Sequence, residues 1–133
     1  MRIVIDTNVL ASGVFFGGAP RLVLEAISSR NIDAFATSEI LEEYHKTIDR
    51  LMVKYGGQFN AEGLSRFQMM INLVDVHTKV TVCRDPDDDK FLGCALDSRA
   101  VYVVSGDKDL LTLKNYEGIE IITAREFCDR YLR

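Results

Sequence analysis

The chain has 133 residues, 47% hydrophobic and 27% charged, with nine Gly, two Pro and three Cys. That length suits one domain over residues 1–133, and the apolar fraction excludes a disordered chain. Sixteen Lys and Arg against twenty Asp and Glu give a net charge of −4, which excludes an overall positive field that draws in nucleic acid.

Residues 2–5 are apolar and β-branched and predict a short strand. Phe16-Gly-Gly-Ala-Pro20 is turn chemistry, and Pro20 suits the first turn of a helix reaching about Arg30. Residues 32–36 predict a second strand. Thr37-Ser38 offers a hydroxyl cap to a helix reaching about Tyr55, which Gly56-Gly57 ends. A helix over about 60–73 is expected despite Gly63, followed by a weakly alternating extended segment, 74–82. The pattern then predicts a helix over 87–98, a strand over 101–104, a short helix or turn over 107–113 and a strand over 119–122. Thr123-Ala-Arg-Glu126 reads as a capping box that opens a terminal helix. Short apolar strands alternating with helices imply an α/β fold with a mainly parallel sheet. In such sheets the ligand site lies beyond the carboxyl ends of the strands.

No apolar run reaches the roughly 20 residues that span a bilayer, so no membrane association is expected. Asp6 interrupts Ile3-Val4-Ile5 at once, which does not suit a secretory signal. Cys83, Cys94 and Cys128 form no CxxC pair and read as buried thiols in a reducing compartment, the cytoplasm.

A bound divalent cation reverses charge locally, so the placement of the acids matters more than their number. Asp6 directly follows the first strand, and Asp107 follows the strand over 101–104 after the turn Ser105-Gly106. Parallel strands bring both to one edge. Between them, 85–89 holds four Asp in five positions. At about 100° per residue Phe91, Leu92, Ala95 and Leu96 form one stripe, and Asp88 falls near its middle. A carboxylate on the core side of a helix must be paired, hydrogen-bonded or bound to metal. Asp88 is therefore the favoured acid of this run, with Asp89 and Asp85 as alternatives. On the helix after Ser38, Glu42 points away from the apolar face of Ile40, Leu41, Tyr44, Ile48 and Leu51, whereas Glu43 lies nearer its border. Crowded carboxylates repel and raise one another's pKa. One or two hard divalent cations, Mg²⁺ or Mn²⁺, would relieve the repulsion, activate a water and stabilise a phosphodiester leaving group. His45 and His77, the two histidines available, lie in different elements, which does not suit zinc.

Four segments, Ile5-Asp6-Thr7-Asn8-Val9-Leu10, Thr37-Ser38 leading to Glu43, Asp85-Pro-Asp-Asp-Asp-Lys-Phe-Leu-Gly-Cys-Ala95 and Val103-Val-Ser-Gly-Asp-Lys-Asp-Leu-Leu111, together resemble the PIN-domain family over essentially the whole chain. Within it, the sequence is similar to the group regarded as toxins of bacterial or archaeal toxin–antitoxin pairs. The resemblance implies a Rossmann-like α/β/α sandwich and a Mg²⁺- or Mn²⁺-dependent endoribonuclease acting on single-stranded RNA. It places the family's acids on Asp6, Glu43, Asp88 and Asp107, with Glu42 and Asp89 as one-residue alternatives. Asp109 would join as an outer acid, and Thr7, Asn8 and Ser105 would orient the acids or a water. A small antitoxin is the implied protein partner, and a homodimer suits the family.

Arg21, Arg84, Lys90 and Lys108 are near enough in sequence to the acids to hold RNA phosphates. Gly13 and Gly17-Gly18 lack a P-loop's GK[ST] ending and are expected to let the segment after the first strand move. Tyr44, Tyr55, Phe59 and Phe67 read as core or oligomer surface. A non-catalytic RNA-binding or scaffolding subunit is the alternative function. A phosphoacceptor receiver module fits less well, because the first strand supplies Asp6 alone where such a module needs an acid pair.

Overall fold

The computed structural model describes residues 1–29 and 32–132. In chain order they form strands β1 (Arg2–Ile5), β2 (Asp33–Ala36), β3 (Asn72–Leu73), β4 (Tyr102–Val104), β5 (Asn115–Tyr116) and β6 (Ile119–Ile122). The helices are α1 (Thr7–Phe15), α2 (Gly18–Ser28), α3 (Ser38–Tyr55), α4 (Ala61–Met70), α5 (Asp89–Ser98), α6 (Lys108–Leu113) and α7 (Ala124–Tyr131). Short 3₁₀ turns at Gly56–Gln58 and Pro86–Asp88 follow α3 and lead into α5.

Ile3, Val4, Ile5, Val103 and Val104 have no exposed surface, as expected of central parallel strands buried on both faces. The sheet order is β3-β2-β1-β4-β6-β5, parallel throughout except for β5 against β6. Helices flank this sheet, giving the α/β architecture the sequence predicts. Helix α5 lies against β1, β2 and β4, and α1 packs on α2, α3 and α4. Ile5 pairs with Val104, and Val104 with Ile122. The residues that follow, Asp6, Ser105 and Thr123, therefore leave the sheet side by side at one edge.

Helix α1 is absent from the sequence-based expectation. Seven of its nine residues are buried, including Val9, Leu10, Ala11, Val14 and Phe15, so it presents no one-sided stripe to read. Asp6 starts it by accepting the Val9 N–H at 2.9 Å. The freedom of movement expected from Gly13 is corrected by the same helix. A Cβ there would lie 2.5 Å from Leu24 Cδ1 and 3.0 Å from the Pro20 carbonyl, so Gly13 permits the close crossing of α1 and α2. Gly17, at φ 88°, makes the turn between them. The expected end of α2 at Arg30 falls outside the described residues.

The helix expected over 60–73 stops at Met70, and Asn72–Leu73 instead pairs with β2. Residues 74–85 then run as a strap without regular structure across α5. Two acids of α5 hold it. Asp97 accepts the His77 and Thr78 N–H groups at 2.8 and 3.2 Å, and Asp89 accepts those of Cys83 and Val82 at 2.8 and 3.1 Å. Cys94 and Cys128 are buried, but Cys83, on the strap, is only half-buried. Burial pushes the Cys83 and Cys94 thiols up to about 12. Thr37 caps α3 and Thr123 with Glu126 forms the capping box of α7, both as predicted. Among the described residues no single helix is long and apolar enough to cross a membrane.

Candidate active site at the carboxyl edge of the sheet

Asp6 is 3% exposed. Its N–H reaches the Val104 carbonyl at 3.0 Å, which fixes it at the end of β1. One carboxylate oxygen accepts the Val9 N–H and the other accepts the Ser105 hydroxyl. The Ser105 oxygen in turn accepts the Asp107 N–H at 2.9 Å, and Asp107 starts α6 by accepting the Asp109 N–H at 2.7 Å. Ser105 thus ties Asp6 to Asp107. Burial raises the Asp6 pKa above its ordinary value; the Ser105, Val9 and Gly106 donors oppose this, and the Asp107 charge adds to it.

Asp88 sits where the 3₁₀ turn meets α5. One carboxylate oxygen from each of Asp88, Asp107 and Asp109 can lie within 4.8 Å of the others. One Asp88 oxygen, Oδ2, is closed to solvent and accepts no hydrogen bond. Burial, then the charges of Asp107 and Asp85, raise Asp88 from 3.8 to about 6, with Lys90 opposing and Asp109 adding. An enclosed, unpartnered carboxylate oxygen on a residue clustered with two further acids is costly without a cation. The all-oxygen donor set suits a hard divalent ion such as Mg²⁺ or Mn²⁺.

The structure separates the neighbours that sequence left open. Asp89 is turned to the strap, and its amide bonds outweigh burial to hold its pKa below the ordinary value. Asp85 accepts the Asp87 N–H at 3.0 Å at the start of the turn. Glu42 is solvent-facing and pairs with Lys46 at 3.0 Å. Glu43 turns inward: one oxygen accepts the Thr7 hydroxyl, and the other lies 2.7 Å from Lys90 Nζ. Asp6, Glu43, Asp88, Asp107 and Asp109 thus gather at one edge, with Thr7 and Ser105 bonded among them. Asn8 is exposed on the first turn of α1. Tyr44 is buried, and its hydroxyl donates to the Ile5 carbonyl at 2.6 Å, tying α3 to β1. His45 lies exposed on α3 and His77 on the strap.

The four cations expected to line an RNA track divide. Arg84 is exposed, 3.9 Å from Asp109, and Lys108 is exposed beside Asp107. Arg21 does not belong with them: its guanidinium donates to the Gly13 and Val14 carbonyls, two turns along α1 from Asp6. Lys90 is enclosed between Glu43 and Asp87, with a side chain only 10% exposed. Burial works against its charge, but the Glu43 bond and the fields of Glu43, Asp87 and Glu39 hold its pKa above the ordinary value. Sequence reasoning missed Arg125. It joins Asn8, Ser12, Ser105 and Gly106 along a groove of about 250 Å³ beside the acids. The signal was available, since Arg125 lies three residues beyond β6, on the first turn of α7, at the edge where Asp6 follows β1.

The family model described as PIN domain matches residues 2–109. The chain is also similar to "Uncharacterized protein MJ1680" of Methanocaldococcus jannaschii, 31% identical over 143 aligned residues that cover 98% of this chain and 92% of that protein. No solved structure matches.

Proposed function

From the chain's membership of the PIN-domain family, whose members are typically metal-dependent nucleases, we propose that it is an endoribonuclease cleaving single-stranded RNA and the toxin of a toxin–antitoxin pair. The observation that carries the nuclease reading is the Asp88–Asp107–Asp109 cluster, in which Asp88 Oδ2 is buried without a donor. These three residues would hold the ion. Mg²⁺ or Mn²⁺ there supplies activation of an attacking water and neutralisation of the phosphodiester charge.

The chain's own groups set the geometry around it. Ser105 ties the Asp6 carboxylate to the Asp107 backbone N–H, and the Asp109 N–H holds the Asp107 carboxylate, so both carboxylates are oriented in advance. Thr7 and Lys90 hold Glu43 facing the same edge. Arg84, Lys108 and Arg125 are exposed cations at this edge that could meet flanking phosphates. So few cations on an acidic chain imply weak, salt-sensitive binding.

Cleavage of a mixed single-stranded RNA pool, with Mg²⁺, with Mn²⁺ and with EDTA, tests the nuclease reading. Metal-dependent cleavage lost in Asp6→Asn and Asp107→Asn is expected. Folded protein that binds the pool but cleaves none of it with either metal would favour a non-catalytic RNA-binding subunit. For the toxin reading, induced expression should arrest growth with the wild type and not with Asp107→Asn. Unimpaired growth alongside cleavage in vitro would remove that reading.

A further inference from the structure

The acids at this edge are not all neutralised in the same way. Asp88 Oδ2 is sealed without a donor beside Asp107 and Asp109. Glu43 has both oxygens occupied, by the Thr7 hydroxyl and by Lys90 at 2.7 Å. The Lys90 ammonium also donates to the Asp87 carbonyl at 2.7 Å and lies 3.6 Å from Asp87 Oδ1. Two of its three protons are thereby directed at protein oxygens, and the Asp87 carboxylate adds an ion-pair contact. Its stem is covered, and Nζ stands 5.2 Å from the centre of the Phe91 ring. A lysine enclosed in this way is poorly placed to reach a phosphate, and removing it would leave Glu43 without its counter-ion.

We propose that Lys90 is a positioning residue that serves as the fixed counter-ion of Glu43, so that the site takes one divalent cation, at Asp88, Asp107 and Asp109, and excludes a second. The inference deepens the nuclease reading and rests on it. The ammonium occupies the Glu43 oxygen that a second ion would need, and its positive charge repels such an ion. Asp87, although exposed, contributes by holding the ammonium in place.

Titration of the full chain with Mn²⁺, with the free ion followed by electron paramagnetic resonance, tests this without reference to activity. The wild type is expected to bind one Mn²⁺ per chain. Lys90→Met should bind a second, about tenfold more weakly. Lys90→Met with Glu43→Gln should return to one, and Lys90→Arg should remain at one. A merely structural lysine would alter stability but not this count. Circular dichroism checks folding, and Lys90→Gln, which removes the charge but keeps a donor, carries the test if Lys90→Met does not fold. Two ions on the wild type, or one on both wild type and the folded neutral variant, overturns the role of Lys90. A wild type that binds no Mn²⁺ overturns the metal-nuclease reading beneath it.

Discussion

Replacing Asp88 by Asn removes one charge from the acidic cluster while nearly preserving its shape. The folded chain holds this carboxyl near about 6 instead of 3.8, first by burial and then by the charges of Asp107, Asp85 and Asp109. A folded-state pKa above the unfolded one means that the folded state binds the proton more tightly. Ionising Asp88 therefore costs stability, fully above about pH 6 and not at all well below 3.8. The full interval corresponds to a ceiling of about 3 kcal/mol. The residue is partly exposed, and screening by water reduces the expected effect to about 1 kcal/mol. In EDTA at pH 7, Asp88→Asn should accordingly be more stable than wild type by about 1 kcal/mol, a Tm rise of roughly 3–5 °C at this size. The difference should shrink as pH falls and nearly vanish below pH 4. Added Mn²⁺ should reverse the order, because it stabilises only the chain that binds it. Thermal unfolding at pH 4, 5.5 and 7, with EDTA and with Mn²⁺, reads all of this. A variant less stable than wild type at pH 7 in EDTA, or an effect independent of pH, would refute the reasoning.

Glu43→Gln, which strips Lys90 of its counter-ion and disturbs the Thr7 contact beside the acids, should lower cleavage by roughly 10²-fold through misplaced groups at the edge, whereas Glu42→Gln, altering only a solvent-facing pair with Lys46, should cleave like wild type; equal losses would contradict the inward orientation of Glu43. Gly13→Ala places a methyl group 2.5 Å from Leu24 Cδ1 and 3.0 Å from the Pro20 carbonyl, at an expected cost of about 1–3 kcal/mol in urea unfolding. An unchanged midpoint would argue against the close α1–α2 crossing. Asp97→Ala strips the strap of its His77 and Thr78 contacts. It should cost about 1–2 kcal/mol at pH 7 and expose 74–85 to limited proteolysis. Burial opposes the Asp97 charge, but the His77 and Thr78 hydrogen bonds prevail and lower its pKa from 3.8. That contribution is present above about pH 4 and fades as pH falls further, so a cost undiminished at pH 3 would exclude it.

Most of the architecture was legible in the sequence, and so was the sheet edge on which the candidate acids lie. Local composition is enough to make Ile3-Val4-Ile5 a buried strand, to let Thr37 and Thr123 start helices, and to place Asp6 and Asp107 where parallel strands end. It fails where neighbours decide. Helix α1 is buried nearly all round, so its sequence lacks the one-sided periodicity that marks a surface helix. Asn72–Leu73 becomes a strand because β2 has a free edge there, a fact no local window contains. The choice between Asp88 and Asp89 depends on the strap, whose amides at Val82 and Cys83 claim Asp89. Lys90 and Arg21 look like any surface cations until tertiary packing supplies Glu43 to one and the carbonyls of α1 to the other. Residue type and spacing fix what chemistry a side chain offers and which element carries it. Which partner consumes that chemistry is set by contacts between segments far apart in the chain, and only the folded structure brings these together.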